Sequence, residues 1–438
     1  MKLSHVHRSS LSCLLLLAAQ LAVAVASTAE TNEFPARLEQ VTSAVSVSGY
    51  VDTSAEWNFG TGNANLPRYK FGGSGKADGF NLDVVQLRFD KPLTDAAWSA
   101  GYRVDLWAGP DAAALGTRST LSSSASDFAV RQAYLALGVP LGNGVDLKLG
   151  VFDSLIGYES LESPSNANFT RSFGRSIEPQ THTGIVAHYR FNELFDASIG
   201  AADTVNSSIN SRAQQGSAGG YFGGVFGGVP PGQNAYAESY KAYMGAFRIS
   251  APNNLGWFSG SSLSFGIVNG FNNSGGLTNA FSDPTFGSVV GVPQMNIYAG
   301  LDLATPIKTL RVGAAFDWLN FDSVARYSIG TTPVAPFSVD AETWTLAGYA
   351  SYQATDRLSF HGRYEYVDSR IDSPFQFTGK TRLMAATVTA QYDLWRNVLS
   401  RLELRWDHLI EHEDSLGGGV PGIKDNAWML AANIIYKF

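Results

Sequence analysis

Residues 426–438 alternate between two kinds of side chain with a period of two. One parity carries Trp428, Leu430, Ala432, Ile434, Tyr436 and Phe438, and the other carries Ala431, Asn433, Ile435 and Lys437. A period of two is typical of a β-strand, whose successive side chains point to opposite faces of a sheet. The segment therefore predicts a strand with an apolar, aromatic-rich face that ends on Phe438.

Residues 45–59 repeat the pattern with a sharper contrast between the faces. Odd positions include Val51, Trp57 and Phe59, and even positions include Asp52 and Glu56. Strands of soluble proteins are typically about 5–6 residues long, which is shorter than this segment. A tilted strand needs about 9–11 residues to cross the hydrocarbon of a membrane, so the length favours a transmembrane strand.

The same alternation recurs along the chain in about 16 segments, an even number that suits a closed single-chain barrel. The predicted strands are 45–59, 80–91, 97–107, 128–138, 145–153, 182–191, 194–205, 239–251, 262–271, 294–305, 309–321, 342–354, 357–368, 381–394, 398–411 and 426–438. The phase of 128–138 is ambiguous, because Phe128, Val130 and Tyr134 compete with Ala133, Leu135 and Leu137.

Long and short connections alternate between these strands. The long ones are 60–79, 108–127, 154–181, 206–238, 272–293, 322–341, 369–380 and 412–425. A lipid-embedded sheet must close on itself, because every backbone N–H and C=O needs a partner. We therefore predict an all-β, transmembrane, antiparallel up-and-down β-barrel of about 16 strands, with short turns on the periplasmic side and long loops outside.

Residues 1–26 have the three parts of a signal peptide. Lys2 and Arg8 precede an apolar stretch, and residues 24–26 form an A-x-A cleavage site. A membrane anchor is the alternative, but Ser12 and Gln20 interrupt the stretch, and a bilayer span needs roughly 20 apolar residues. We expect a signal peptide (1–26), an N-terminal lead-in (27–43) and a barrel (44–438).

Composition excludes two further classes of protein. The single cysteine, Cys13, lies in the signal segment, so the mature chain has no disulfide framework. Removing Lys2 and Arg8 from the 31 basic residues leaves 29 against 38 acidic residues, a net charge of -9. That balance argues against nucleic acid as a partner.

A longer motif points to a family. It comprises residues 150–159 (GVFDSLIGYE), 163–172 (SPSNANFTRS) and 178–184 (EPQTHTG). This motif resembles the OmpL-like β-barrel porin-2 family of Gram-negative bacteria. The resemblance implies an outer-membrane porin whose terminal aromatic residues, here Tyr436 and Phe438, are read by the barrel-assembly machinery. It supplies no catalytic residue.

The connection 154–181 lies where porins fold a loop inward, so we expect it to narrow a pore. Its charged residues are Glu159, Glu162, Arg171, Arg175 and Glu178. On the lumen parity of the strands we expect a hydrated charged wall of Asp52, Glu56, Arg88, Arg103, Asp105, Arg363, Glu365, Arg401, Glu403 and Arg405. The alternative is that the loop packs against the barrel and that these charges are paired.

Histidine patterns raise two enzymatic alternatives. His408–His412 matches H-x-x-E-H, but that zinc site needs a helix, and this segment continues a strand. A phospholipase-type site needs a histidine on the lipid-facing wall, whereas His182, His188 and His361 fall on the lumen parity. We therefore expect that the protein is not an enzyme and that it binds no metal and no cofactor.

The sequence thus predicts a passive diffusion channel for small hydrophilic solutes and ions in the outer membrane. We expect outer-membrane lipid and lipopolysaccharide to surround it. The sequence does not decide between a monomer and a homotrimer. One alternative is a carbohydrate-specific porin with an aromatic track, for which Tyr50, Tyr240 and Tyr298 are candidates. Another is a plugged surface or adhesion barrel.

Overall fold

A computed structural model describes most of the chain. The described residues are 45–59, 78–115, 127–205, 207, 209–210, 240–272, 292–325, 328–329, 332–333, 337–372, 379–411 and 425–438. The predicted signal peptide (1–26) and lead-in (27–43) lie outside them, as does much of the predicted long connections.

The described chain is mostly β-strand. The strands are β1 (Ser46–Phe59), β2 (Gly79–Lys91), β3 (Ser99–Ala108), β4 (Phe128–Val139), β5 (Val145–Asp153), β6 (Thr181–Arg190), β7 (Phe195–Ala202), β8 (Ala242–Ser250), β9 (Ser262–Asn272), β10 (Val292–Ala304), β11 (Leu310–Ala325), β12 (Ser328–Ile329), β13 (Thr332–Pro333), β14 (Phe337–Gln353), β15 (Leu358–Asp372), β16 (Gly379–Trp395), β17 (Val398–Leu409) and β18 (Asn426–Lys437). The helices are α1 (Pro110–Leu115) and α2 (Phe173–Ile177), and Ser163–Ser165 and Gly256–Phe258 are 3-10 turns.

Sixteen of these strands form one closed antiparallel barrel, in which each strand pairs with its neighbours in the chain and β1 pairs with β18. The short strands β12 and β13 form a separate hairpin between β11 and β14. The predicted fold class and strand number are confirmed. Within the described residues, no helix has the length and apolar character needed to span a bilayer.

The two faces of the barrel wall differ as the alternation predicts. On β17, Leu402 and Leu404 are 54% and 44% exposed, whereas Arg401 and Glu403 are buried. The exposed parity is apolar because it faces lipid, and the buried parity carries charge because it faces the interior. Trp57, Trp98, Trp395 and Trp428 are among the exposed aromatic residues.

A β-bulge in β4 accounts for the ambiguous alternation predicted at 128–138. Asp105 of β3 pairs with Gln132, and the next residue, Leu106, pairs with Val130, so Arg131 is an extra residue. This β-bulge changes the parity within the strand, and both competing patterns are therefore present, one on each side of it. The bulge also turns Arg131 and Gln132 to the same side, where both are buried.

Several strands extend beyond their predicted ends. The predicted strands 309–321, 342–354, 357–368 and 381–394 correspond to β11, β14, β15 and β16, which all reach farther toward the long-loop rim. Arg370 pairs with Lys380 and Asp368 with Arg382, so the hydrogen-bonded ladder continues where charged residues replace apolar ones. The predicted ends were wrong because alternating hydrophobicity stops at the membrane boundary, whereas backbone pairing does not.

The barrel closes where Gly49 of β1 meets Phe438. Gly49 N–H donates to the Phe438 carbonyl at 2.9 Å, and Phe438 N–H donates to the Gly49 carbonyl at 3.0 Å. A Cβ atom at Gly49 would lie against the Gln86 carbonyl oxygen and 2.7 Å from Cζ of Phe438. The absence of a side chain at Gly49 therefore makes room for the terminal aromatic ring at the seam.

We expect Gly49→Val to weaken the closed barrel by about 1–3 kcal/mol, because the added atoms overpack the seam. Heat-modifiable electrophoresis of the refolded protein, repeated over a urea series, measures the folded fraction. Gly362→Val is the matched control, since a Cβ at Gly362 meets no atom within 4 Å. Equal loss of folded barrel in both variants would contradict the role of the seam.

Candidate functional site

The residues between β5 and β6, 154–180, form a single excursion into the barrel, here called the lumen segment. Its two ends lie side by side, because Ser154 N–H donates to the Gln180 carbonyl at 2.9 Å. Between them the segment contains the 3-10 turn Ser163–Ser165 and helix α2, whose N-cap Ser172 accepts a hydrogen bond from Arg175 N–H. The segment crosses the interior to strands on the far side of the ring.

Glu403 of β17 holds one part of the lumen segment. Its carboxylate accepts hydrogen bonds from Phe169 N–H at 2.6 Å, from Thr170 N–H at 3.0 Å and from the Thr170 hydroxyl at 2.6 Å. Thr389 of β16 donates to the same carboxylate at 2.6 Å. Two backbone donors that an irregular segment would otherwise leave unpaired are thus satisfied by one buried anion.

Arg401, two residues earlier on the same face, satisfies backbone acceptors of the lumen segment. Its guanidinium donates to the carbonyl oxygens of Ser163, Asn166 and Asn168 at 3.0, 3.0 and 2.8 Å. Asn166 in turn donates to the carbonyls of Ser160 and Glu162. The forked guanidinium suits this task because it presents several donors in one plane.

Arg363 of β15 ties the segment to a third strand. It donates to Glu159 at 2.9 Å and to the Thr170 carbonyl at 2.9 Å, and it pairs with Glu365 at 2.7 Å. Glu365 also accepts from Phe173 N–H at 2.6 Å. These contacts hold the lumen segment against β15 with charge-assisted hydrogen bonds.

Arg405 completes this half of the wall. It donates to the Arg171 carbonyl at 3.0 Å, pairs with Asp407 at 2.9 Å and lies 4.9 Å from the centre of the Phe173 ring. Arg405 and Asp407 are both fully buried. The lumen segment therefore covers the charged side chains on the inner face of β15–β17.

A second cluster surrounds Asp105 on the inner face of β2–β4. Arg88, Arg103 and Arg131 donate to its carboxylate at 2.8, 2.9 and 2.5 Å, and Gln132 donates at 3.1 Å. Asp105 is fully buried, and the Arg131 side chain is 1% exposed. Three guanidiniums around one carboxylate leave an excess of positive charge.

Glu162 of the lumen segment offsets that excess. It pairs with Arg88, with Arg103 at 3.1 Å and with Arg131 at 3.0 Å. Arg131 also pairs with Asp153 at 2.5 Å, at the point where β5 ends. The Asp105 cluster therefore joins β2, β3, β4 and β5 to the lumen segment.

The exposure of the Asp105 cluster is graded. The side chains of Arg88 and Arg103 are 21% and 23% exposed, in contrast to the buried Asp105. The side chain of Asp153 is 39% exposed, but its Oδ1 atom is buried and its Oδ2 atom is paired with Arg131. On the adjoining wall Lys148 is exposed and lies 5.1 Å from the centre of the Tyr134 ring. Charged groups at the level of the lumen segment thus reach water along β2–β5.

The remaining predicted loop charges act within the lumen segment. Arg175 pairs with Glu178 at 2.6 Å, and the Glu178 carboxylate lies against Gly157, whose φ of +130° suits glycine. Arg171 donates to the carbonyls of Phe169 and Leu161 at 3.1 and 3.2 Å. Burial lowers the pKa of the Arg171 guanidinium.

Apolar side chains of the segment also pack on the wall. Ile156 belongs to a buried cluster with Phe152, Val268 and Tyr298, and Tyr158 stacks on Tyr349 with ring centres 4.2 Å apart. Burial, followed by the nearby Asp302 carboxylate, raises the pKa of the Tyr158 hydroxyl to about 12. The lumen segment is thus held by a small core as well as by charges.

The two other predicted wall residues, Asp52 and Glu56, are buried on the inner face of β1. Asp52 accepts a hydrogen bond from the Asn433 amide of β18, across the seam. Tyr436 and Phe438, the predicted assembly signal, lie on the exposed face with their ring centres 6.3 Å apart.

Burial in the lumen differs from the expected hydrated wall and from the aromatic-track alternative. Of the expected wall charges, Arg363, Glu365, Arg401, Glu403, Arg405 and Asp105 are buried and paired, as in the alternative reading, and pairing compensates their lost hydration, whereas Arg88 and Arg103 are partly exposed. Tyr50 and Tyr298 are 3% and 5% exposed, so they offer no surface for an aromatic track.

The histidines have local partners. His182 is buried between the Thr204 carbonyl and the Ser154 hydroxyl, and His361 lies between the hydroxyls of Ser351 and Ser359. His412 of the H-x-x-E-H pattern lies outside the described residues. Among the described residues, no group of His, Cys, Asp and Glu side chains is arranged to hold a metal ion.

Sequence reasoning missed Arg131 and Gln132 as members of the site. Neither position follows from a fixed parity, because the bulge in β4 turns both inward. The ambiguous alternation at 128–138 could have revealed this bulge, since two competing patterns in one strand indicate an inserted residue.

Comparisons with known proteins agree with this architecture. A family model described as beta-barrel porin-2, OmpL-like, matches residues 44–245 and 261–438. No curated protein matches the chain.

Solved structures of similar fold are porins and outer-membrane proteins. The anion-selective porin from Comamonas acidovorans is 13% identical with a TM-score of 0.52, and the match covers 90% of this chain and 99% of that one. The outer membrane channel DcaP of Acinetobacter baumannii is 14% identical with a TM-score of 0.51, covering 90% and 97%. OmpT, an outer membrane protein of Vibrio cholerae, is 11% identical with a TM-score of 0.50, covering 90% and 97%. At these identities the likeness establishes the shared fold.

Proposed function

The chain belongs to the OmpL-like β-barrel porin-2 family and is an outer-membrane porin, and we propose that small hydrophilic solutes cross it by passive diffusion beside the lumen segment, along the inner face of β2–β5. The observation that carries this route is the graded exposure around Asp105. Arg88 and Arg103 are partly exposed there, whereas the charges facing β15–β17 are buried. Hydrated charges mark where water reaches the level of the segment.

Both signs of charge border the proposed route. Arg88 of β2, Arg103 of β3 and Lys148 of β5 contribute cations, and Glu162 and Asp153 contribute carboxylates at the edge of the lumen segment. Such a passage between low-dielectric walls focuses the electric field and orients polar solutes. We infer that residues 154–180 are the constriction and that ion selectivity depends on the balance between Arg103 and Glu162.

Neutralising either residue is expected to change ion selectivity in opposite directions. Glu162→Gln removes a carboxylate beside three guanidiniums, so the permeability ratio shifts toward anions by roughly twofold or more. Arg103→Gln shifts it toward cations. The measurement is the reversal potential of the refolded protein in planar bilayers under a KCl gradient.

The matched control is Arg311→Gln, which removes a cation that is 44% exposed on the inner face of β11 and paired with Asp302. Shifts of the same sign in Glu162→Gln and Arg103→Gln would contradict the proposed route. A folded wild-type barrel without steady conductance would favour the plugged alternative. Closure of the channel by added maltodextrins would favour the carbohydrate-specific alternative, whose predicted aromatic track lacks Tyr50 and Tyr298.

We also propose that residues 1–26 are a signal peptide removed at export. The support is the charged start, the apolar stretch and the A-x-A site at 24–26. N-terminal sequencing of protein from the outer membrane is expected to begin at Ser27. The homotrimer and the contacts with lipopolysaccharide and the barrel-assembly machinery stay predictions.

A further inference from the structure

Three cations converge at the short-turn rim of the barrel. Arg357 lies in the β14–β15 turn, Arg396 in the β16–β17 turn and Lys437 at the end of β18. All three line one open cavity of about 230 Å³, together with Asp393 and Trp395. Residues from three separate parts of the chain thus meet around one concave surface.

These cations differ from those of the interior in having no acidic partner. Arg405 pairs with Asp407 and Arg311 with Asp302. Within the described residues, by contrast, the side chains of Arg357, Arg396 and Lys437 form no ion pair, and all three are exposed. With Asp393 as the one carboxylate in the lining, the cavity has an excess of positive charge.

The cavity lies at the depth of lipid headgroups. Tyr352, Tyr392 and Tyr436 are 46%, 42% and 49% exposed near the ends of β14, β16 and β18, where aromatic side chains mark the membrane interface. Each cation follows one of these tyrosines by a few residues, and a strand rises about 3.3 Å per residue. By this spacing the cavity lies near the depth of the interface; Lys437 belongs to the inner parity of β18, and the exposed ring of Trp395 also lines the cavity.

We propose that this cavity binds a phosphate group, carried by an anionic phospholipid of the leaflet that surrounds the short-turn rim. Two guanidiniums and an ammonium supply the forked and point-charge donors that phosphate oxygens accept. The tryptophan ring supplies the amphipathic contact typical of the headgroup level. The site is separate from the proposed passage, and the proposal does not depend on the route of solutes.

The test measures binding of short-chain phosphatidylglycerol to the refolded mature protein in a zwitterionic detergent. The triple variant Arg357→Gln, Arg396→Gln and Lys437→Gln is expected to weaken binding by about tenfold or more. The matched control removes three other cations of the same rim, Lys91→Gln, Arg190→Gln and Lys308→Gln, and is expected to bind like the wild type. Because Lys437 adjoins the barrel seam, the double variant Arg357→Gln and Arg396→Gln provides a second measurement with β18 unchanged.

Competition with inorganic phosphate distinguishes the two sources of the group. Displacement of the lipid by millimolar phosphate would mean that the phosphate group suffices, and persistence of lipid binding would mean that the acyl chains contribute. Equal weakening in both triple variants would overturn the site in favour of general attraction to a basic rim. Absence of phosphatidylglycerol binding to the folded wild type would also overturn it. Channel conductance is expected to be unchanged in every variant, so failure here is distinct from failure of the porin proposal.

Discussion

Asp105→Asn is expected to destabilise the barrel by about 3–5 kcal/mol, because it removes one partner of a buried ionic cluster. Asp105 is fully buried and accepts from Arg88, Arg103, Arg131 and Gln132. Asparagine keeps the shape of the side chain but leaves three guanidiniums around a neutral group. Arg131 is 1% exposed, so water does not replace the lost carboxylate, and its charge then depends on Glu162 and Asp153.

The measurement is urea unfolding of the protein in phospholipid vesicles, followed by tryptophan fluorescence. Asp302→Asn is the matched control, because Asp302 and its partner Arg311 are 39% and 44% exposed. Solvent screens that pair, so its loss is expected to cost less than about 1 kcal/mol. A similar, small cost for both variants would contradict a buried role for Asp105.

Replacing Leu155–Pro179 with a two-residue Asn-Gly turn is expected to raise single-channel conductance several-fold. The ends of the lumen segment are already joined by the hydrogen bond from Ser154 to Gln180, so a tight turn spans them. Without the segment the interior of a barrel of this strand number is wide enough to hold a water-filled channel. Arg363 still pairs with Glu365 and Arg405 with Asp407, so the uncovered wall keeps its own ion pairs.

Planar-bilayer recording measures this change, with heat-modifiable electrophoresis as the check that the barrel is closed. Glu403→Ala is the matched variant, because it keeps the lumen segment but removes the acceptor for Phe169 and Thr170. We expect it to give intermittent larger openings above the wild-type level. Unchanged conductance after removal of the segment would mean that ions do not pass beside it.

The fold was predictable because the lipid environment and the need to pair every backbone hydrogen bond both impose strict patterns on the sequence. Every lipid-crossing strand must alternate, and a closed up-and-down barrel must alternate short turns with long loops. Strand ends were less predictable, as at β15 and β16, where Arg370 pairs with Lys380 beyond the predicted ends. Backbone hydrogen bonds continue there without a hydrophobic face to reveal them.

Most residues of the candidate site were predictable from the sequence, but their burial and ion pairing were not. Parity placed Arg88, Arg103 and Asp105 on the inner face, yet it carries no information on what covers them. Glu162 of the lumen segment pairs with Arg88 and Arg103 around the buried Asp105, and the path of that segment is set by three-dimensional contacts. Arg131 does not follow from alternation, because it is itself the inserted residue that changes the parity of side chains along β4.

The order in which the lumen segment becomes fixed follows from the distances along the chain. Phe169 and Glu403 are 234 residues apart, Ser163 and Arg401 are 238 apart, and Phe173 and Glu365 are 192 apart. During synthesis and export the partners of the segment therefore emerge long after the segment itself. Since contacts so distant in sequence form late, the part of the segment that meets β15–β17 becomes fixed only when those strands have paired, whereas Glu162 can pair earlier with Arg88, Arg103 and Arg131. Docking of the lumen segment on β15–β17 is thus coupled in time to completion of the barrel.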